Sequence, residues 1–187
     1  IEKNNLFNES QSGFRKYRST IDQLIRLSDT ITKSLNNKQH TLACFLDFSS
    51  AFDLVWKEGL LYKLRKLGIG GNMHRWICDF LTGRSIRVKV DGQVSDQFPL
   101  ENGTPQGSVI SPLLFLIMIN DIPTINTRES HSSIYADDSA IWRSGKNIKH
   151  LNNEIQKHLD KIMEWCSLWG FKLNESKTIL VLFTNST

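Results

Sequence analysis

Two adjacent aspartates, Asp137 and Asp138, lie between two short β-prone runs at residues 133–136 and 139–142. This pattern predicts a β-hairpin with carboxylates at its tip. Short hairpin turns usually contain glycine or asparagine because positive φ angles are needed there, and an Asp-Asp pair supplies neither residue. Adjacent negative charges are costly unless a cation lies between them, and a divalent metal ion is the commonest such cation. The hairpin alone fits a solvated polar turn and a metal site equally well.

The composition excludes several classes of protein. With 40% hydrophobic and 22% charged residues, the 187-residue chain is typical of a globular protein with a substantial core. Cys44, Cys78 and Cys166 match neither a zinc site nor a disulfide framework, so we expect buried thiols in a reducing compartment. Apolar runs are too short to cross a bilayer, and we expect no membrane partner. The formal charge of +4 fits a polyanionic partner or ordinary solubilising charge.

A third aspartate, Asp47, lies near the end of residues 41–48, which are otherwise almost wholly apolar. Such a run predicts a strand buried on both faces, where a charge must be paired or bound to a metal. The alternative role is capping of the next turn, for which Asp53 is the better candidate. If the strand and the hairpin pair in one sheet, three carboxylates converge. That arrangement suits two Mg²⁺ ions that stabilise the entering and leaving oxygens of a phosphoryl displacement.

Helical spacing of apolar residues predicts five helices, and capping residues or glycines delimit them. Asp91-Gly92 predicts a hairpin turn, and residues 171–183 are typical of a strand, a turn and a second strand. No linker divides the chain, so we expect its lobes to interleave. The predicted helices span residues 20–36, 57–67, 73–81, 112–119 and 148–169.

Two further segments are open to alternative interpretations. Residues 11–18 are basic with interleaved aromatics, which fits contact with phosphates or a solvated lead-in to the first helix. Residues 102–108 form a loop with two glycines and a proline before a buried helix. That loop is a reasonable nucleotide platform, although a plain connector is the simpler interpretation.

Five stretches resemble, in order, the conserved motifs of reverse transcriptases. Each stretch alone is weak, but five in the family's order across nearly the whole chain are highly specific. The first of them resembles the segment before motif A in non-LTR (LINE-type) retrotransposons, especially jockey-like elements. The stretches are residues 12–20 before motif A, 45–53 for motif A, 104–115 for motif B, 135–138 for motif C and 170–178 for motif D.

The resemblance implies an α+β fold, a right-hand polymerase palm with partial fingers, in which an antiparallel sheet is backed by helices. It implies fingers-like regions at residues 1–40 and 57–104, and palm regions at 41–56 and 105–187. The thumb and an endonuclease would lie outside this sequence. We therefore expect the isolated fragment to be weak or inactive as a polymerase.

The resemblance further implies an RNA-directed DNA polymerase that uses two Mg²⁺ ions, with Mn²⁺ as a substitute. Its partners would be an RNA template, a DNA primer or target DNA, and a dNTP. We expect an intracellular location, in the nucleus, the cytoplasm or both, within the element's ribonucleoprotein. By position, the resemblance assigns Asp47, Asp137, Asp138 and the Phe48 carbonyl to the metals, Lys177 to protonation of pyrophosphate, Phe52 to a steric gate against ribose, Gln106 and Gly107 to the incoming nucleotide, and Arg15 and Arg18 to template or triphosphate.

Two alternatives remain at this point. One is another palm enzyme, such as an RNA-dependent RNA polymerase or a nucleotidyl cyclase, and Phe52 argues for dNTPs instead. The other is a decayed or truncated element that at most binds RNA. The intact acids and Lys177 argue against decay.

Overall fold

The structure, a computed structural model, describes residues 6–124, 127 and 129–185, which form five helices and eight strands. The helices are α1 (Thr20–Asn36), α2 (Lys57–Lys66), α3 (Gly71–Leu81), α4 (Ser111–Met118) and α5 (Ile148–Trp169). The strands are β1 (His40–Leu46), β2 (Arg84–Ile86), β3 (Lys89–Val90), β4 (Gln93–Val94), β5 (Phe98–Leu100), β6 (Ser130–Tyr135), β7 (Asp138–Gly145) and β8 (Ile179–Phe183).

The chain divides into two compact units, and one is inserted into the sequence of the other. The first unit combines Ile1–Ala51 with Ile119–Thr187, and the second is Phe52–Met118. This arrangement agrees with the expectation of interleaved lobes. The finer division into fingers-like and palm regions stays a prediction.

An antiparallel sheet of four strands, in the order β6-β7-β1-β8, is the centre of the first unit. In its register Leu46 lies opposite Ser139, so the end of β1 adjoins the start of β7. Helices α1 and α5 pack against β1 and β7. Trp142 on β7 is only 1% exposed, and burial of such a side chain stabilises the fold by about 2 kcal/mol. The predicted antiparallel sheet backed by helices is confirmed.

Local sequence signals fix the ends of the two helices that pack on this sheet. Helix α1 begins with a reciprocal capping box, in which Ser19 N–H donates to Asp22 Oδ2 at 2.7 Å and Asp22 N–H donates to Ser19 Oγ at 3.4 Å. Helix α5 begins at the Asn147 cap and ends at Gly170, whose φ of 77° is left-handed. Both helices have the predicted bounds. Within the described part of the chain, no helix combines the length and the apolar character needed to cross a membrane.

Three local predictions differ from the structure. Residues 171–183 contain one strand, β8, because Leu173 makes only an isolated bridge to Phe48, beyond the end of β1. Cys78 is half-buried, whereas Cys44 and Cys166 are buried as predicted. In α1 the apolar residues of the first turns remain more than half exposed, although their spacing predicted an inward face; these are Ile21, Leu24 and Ile25.

The second unit consists of α2, α3, α4 and two short strand pairs. Strands β3 and β4 form the predicted hairpin, in which Asp91 (φ 48°) and Gly92 (φ 83°) both have positive φ angles. Helix α4 is almost wholly buried, as its continuous apolar sequence predicted. The buried Lys63 donates from Nζ to the Met118 carbonyl at 2.6 Å, which satisfies a carbonyl at the end of α4.

Candidate active site

The aspartate hairpin is present, but its tip lies one residue earlier than predicted. Tyr135 pairs with Asp138, which leaves Ala136 and Asp137 as the two turn residues. Ala136 has the positive φ, 57°, so neither aspartate has to adopt it. Asp137 therefore lies in the turn and Asp138 begins β7.

Asp138 lies within electrostatic reach of both Asp137 and Asp47 at this end of the sheet. Asp47 follows directly after β1, whose last residue is opposite Ser139. Asp138 is exposed overall, yet partial burial of its carboxyl raises its pKa, and the negative charges of Asp137 and Asp47 raise that pKa further. The structure thus brings together the three acids that the sequence assigned to one site.

The segment after α5 docks on the chain around Asp47. Asn174 N–H donates to the Asp47 carbonyl at 2.8 Å, and Ser49 N–H donates to the Lys172 carbonyl at 2.9 Å. These bonds bring Lys177 Nζ to 3.8 Å from Asp47 Oδ2. The Lys177 side chain is 68% exposed, so this ion pair contributes little to stability and leaves the ammonium group able to move to another anion.

Packing fixes the backbone immediately after Asp47. The Phe48 side chain is buried and meets the Phe171 ring edge-on, with 6.2 Å between the ring centroids. Phe171 in turn stacks on Trp165 of α5 at 5.1 Å. The Phe48 carbonyl, a predicted metal contact, therefore lies in a closely packed part of the first unit.

The donors at this end of the sheet fit a metal site that the protein completes only in part. Among the described residues, no three His, Cys, Asp or Glu side chains could hold a metal ion by themselves. Mg²⁺ commonly takes one or two carboxylates and completes its shell with water and substrate phosphates. Burial first, and then the negative charges of Asp137 and Asp47, raise the pKa of Asp138, and a bound cation would favour its ionised form. Asp47 and Asp137 are the principal candidate ligands.

The predicted nucleotide-binding residues lie in the second unit. Phe52 stacks on Phe115, with ring centroids 4.1 Å apart and an interplanar angle of 20°. Thr104 N–H donates to the Phe52 carbonyl at 3.0 Å, so the loop that carries Gln106 and Gly107 is attached to the turn that carries Phe52. The structure therefore brings these three predicted residues into one region of that unit.

Asp53 has a role that the sequence did not indicate. Its Oδ1 accepts a hydrogen bond from Gln106 Nε2 at 2.9 Å, across 53 residues of sequence. The capping role that we preferred for Asp53 gave no reason to pair it with the loop. Because Gln106 is exposed, this bond orients an amide that is accessible to a ligand.

The two predicted template-contacting arginines are engaged with the chain itself. Arg15 donates from one guanidinium nitrogen to the carbonyls of Asn8 (3.0 Å) and Gln11 (3.2 Å). Arg18 donates to the carbonyls of Glu9 (2.5 Å) and Gln11 (3.1 Å). Both arginines therefore hold residues 8–11 in place, and their contact with template or triphosphate stays a prediction.

Residues 1–186 match the family described as reverse transcriptase (RNA-dependent DNA polymerase). The chain belongs to this family. This reverse transcriptase chain is 34% identical over 183 residues to the RNA-directed DNA polymerase from mobile element jockey of Drosophila melanogaster. The aligned region covers 95% of this chain and 20% of that relative. It is 36% identical over 182 residues to the RNA-directed DNA polymerase from mobile element jockey of Drosophila funebris. This alignment covers 94% of the chain and 20% of that relative. The chain thus spans about a fifth of the length of these curated relatives.

Solved structures agree on the fold of the reverse transcriptase chain. It resembles telomerase from Candida tropicalis, both in an apo form truncated from the C-terminal domain and in complex with a fragment of telomeric RNA. The TM-scores are 0.64 and 0.69, at 14% identity, over 95% of this chain and 37% and 31% of the telomerase chains. The polymerase palm fold and the relationship to non-LTR retrotransposon enzymes are confirmed. Enzymes of this family generally use divalent metal ions and an RNA template.

Proposed function

We propose that this chain is the catalytic core of a retrotransposon reverse transcriptase that extends a DNA primer with dNTPs on an RNA template. The observation that carries the proposal is the convergence of Asp47 with the Asp137 turn at one end of a single sheet, in a chain of this family. An intracellular location, in the nucleus, the cytoplasm or both, is part of the same proposal, because the RNA template and target DNA are found there.

The residues of the first unit have separate roles in nucleotidyl transfer. Asp47, Asp137 and the Phe48 carbonyl would hold the divalent ions, with Asp138 as the third acid of the site. Two Mg²⁺ ions, or Mn²⁺ in their place, would supply Lewis-acid stabilisation of the attacking and leaving oxygens when bound. The primer 3′-hydroxyl gives up its proton to solvent water as its oxygen forms a bond to the α-phosphorus of the dNTP, and the bond from that phosphorus to pyrophosphate breaks. Lys177 holds a proton on Nζ, close to Asp47, and donates it to the departing pyrophosphate.

The residues of the second unit select the nucleotide. Phe52, held by its stacking on Phe115, acts as a steric gate whose ring would collide with a ribose 2′-hydroxyl. Gln106, oriented by Asp53, contacts the incoming nucleotide together with Gly107. Gly107 has a φ of 87°, a conformation that lets the backbone of an exposed loop approach a ligand closely.

Replacement of Phe52 with alanine should weaken the preference for dNTPs over NTPs by about tenfold to a hundredfold, because a pocket that only has to exclude one hydroxyl achieves discrimination of that order. The measurement is kcat/KM for each nucleotide in primer extension on an RNA template by the full-length protein that contains this chain. Phe98→Ala, which removes an exposed phenylalanine from β5, is the matched control and should leave the preference unchanged.

The same assay separates the alternatives. Preference of the wild-type protein for NTPs would favour an RNA-dependent RNA polymerase, and RNA binding without extension would favour a decayed element. Full retention of dNTP preference in Phe52→Ala would remove the steric gate from the mechanism while leaving the polymerase assignment intact.

A further inference from the structure

A short segment near the start of the described chain, residues 10–13, lies beside the Asp137 turn. Ser12 N–H donates to the Ile134 carbonyl, and Ile134 N–H donates to the Ser10 carbonyl, both at 2.8 Å. These two bonds form a parallel bridge between Gln11 and Ile134 on β6. The segment is buried, with Ser10, Gln11 and Ser12 each no more than 2% exposed. It therefore acts as an additional short strand next to the hairpin that carries Asp137.

The contact between this segment and the turn is too close for any side chain on Gly13. A Cβ atom placed on Gly13 would lie 2.3 Å from the Ala136 nitrogen and 3.0 Å from the Tyr135 carbonyl carbon. Both of those atoms belong to the backbone, so neither can rotate away. Gly13 is thus required for the segment to reach the residue immediately before Asp137.

The Gln11 side chain connects the segment to the turn itself. Its Oε1 accepts hydrogen bonds from Gly13 N–H at 2.7 Å and from Ala136 N–H at 3.2 Å. Ala136 has a φ of 57°, which is unfavourable for a residue with a Cβ and persists only where the surroundings hold it. The bond from Gln11 is one such restraint. This bond restrains the peptide N–H of Ala136, the residue immediately before Asp137.

Further contacts fix Gln11 and its neighbours. Arg15 and Arg18 both donate to the Gln11 carbonyl, at 3.2 and 3.1 Å. Gln23 of α1 donates to Ser12 Oγ and accepts from Ser133 Oγ at 2.7 Å, which ties the segment to β6 through a helix. These contacts hold Gln11 in one place. A side chain can fix the conformation of a turn only if it is itself held in place.

We propose that Gln11 is a positioning residue for Asp137, an inference that rests on the proposed function. Its amide oxygen holds the Ala136 peptide, and thereby the Asp137 carboxylate, in the place from which Asp137 and Asp47 share a divalent ion. Residues that orient metal ligands from the outer shell commonly change metal affinity by about 10–100-fold when they are replaced. Gln11 contacts neither the metal nor the substrate in this account.

The test is Mn²⁺ binding to the full-length protein, measured by electron paramagnetic resonance for the wild type and Gln11→Met. Methionine has nearly the same volume as glutamine but lacks the accepting oxygen. We expect Mn²⁺ affinity to fall at least about tenfold and the Ala136 amide to exchange its hydrogen faster in the folded state. Gln156→Met, the same change on the exposed surface of α5, is the control and should alter neither quantity.

Each outcome decides a separate question. Absence of Mn²⁺ binding in the wild type would overturn the proposed function and this inference with it. Binding that is equal in wild type and Gln11→Met would overturn the inference alone. If Gln11→Met does not fold, Gln11→Asn, whose shorter amide cannot span the same distance, should show the same loss of affinity. Loss of cooperative folding in both variants would overturn the inference, because Gln11 would then be required for the stability of the whole fold and would not act specifically on the turn.

Discussion

Replacement of Asp137 with asparagine should lower the rate of primer extension by about three orders of magnitude or more. The change keeps the size of the side chain and removes one of the two charges that, in the proposed function, hold divalent ions. Metal stabilisation of a phosphoryl transition state contributes several kcal/mol, and each 1.4 kcal/mol corresponds to a factor of about ten. The measurement is single-turnover incorporation of one dNTP by the full-length protein at saturating Mg²⁺.

The control for this experiment is Asp160→Asn, the same chemical change on the exposed surface of α5. The control should extend primers at the wild-type rate, and both variants should unfold at temperatures close to that of the wild type. Stability is expected to be preserved because Asp137 lies in a turn and is not part of the buried core. Extension by Asp137→Asn at a rate within about tenfold of the wild type would be incompatible with a catalytic metal at this turn.

Replacement of Lys177 with glutamine should lower the rate of the chemical step by about a hundredfold. General acid catalysis commonly contributes 10²–10⁴-fold, and departure of pyrophosphate is the step that benefits from a proton donor. The structure supports this role because docking of residues 171–177 on the Asp47 strand brings Nζ to 3.8 Å from the Asp47 carboxylate. The measurement is the single-turnover rate at saturating dNTP, which separates chemistry from nucleotide binding.

Lys172→Gln is the matched control for Lys177, since both lysines are exposed and lie in the same docked segment. The Lys172 carbonyl accepts the bond from Ser49 N–H, and a change of the side chain keeps that carbonyl, so the control should keep the wild-type rate. If Lys177→Gln raised the KM for dNTP without slowing the chemical step, Lys177 would bind the triphosphate and would not protonate the leaving group.

Much of the site was predictable from local sequence. The apolar run at residues 41–48 predicted a buried strand, and the β-prone residues around Asp137 predicted a hairpin. Their acids lie at the same end of the sheet because β1 pairs with β7 in a register that puts Leu46 opposite Ser139. The tip of the hairpin was misplaced by one residue because the positive φ belongs to Ala136, an assignment that no local preference for glycine or asparagine would suggest.

The long-range polar contacts could not be predicted in the same way. Gln11 and Ala136 are separated by 125 residues, and Asp53 and Gln106 by 53. A single polar side chain carries no periodic signal, so only the fold reveals its partner. Arg15 shows the same limit, because the basic and aromatic segment gave no sign that its guanidinium donates to main-chain carbonyls. Its contact with template or triphosphate stays a prediction.

The central claim is that Asp47 and Asp137 act as one metal-binding pair. The most direct measurement is anomalous diffraction from crystals of the full-length protein with Mn²⁺, RNA template, DNA primer and a dNTP. The account predicts a manganese peak at about 2 Å from a carboxylate oxygen of Asp47 and from one of Asp137. A manganese ion that contacts only one of these carboxylates, or neither, would contradict it.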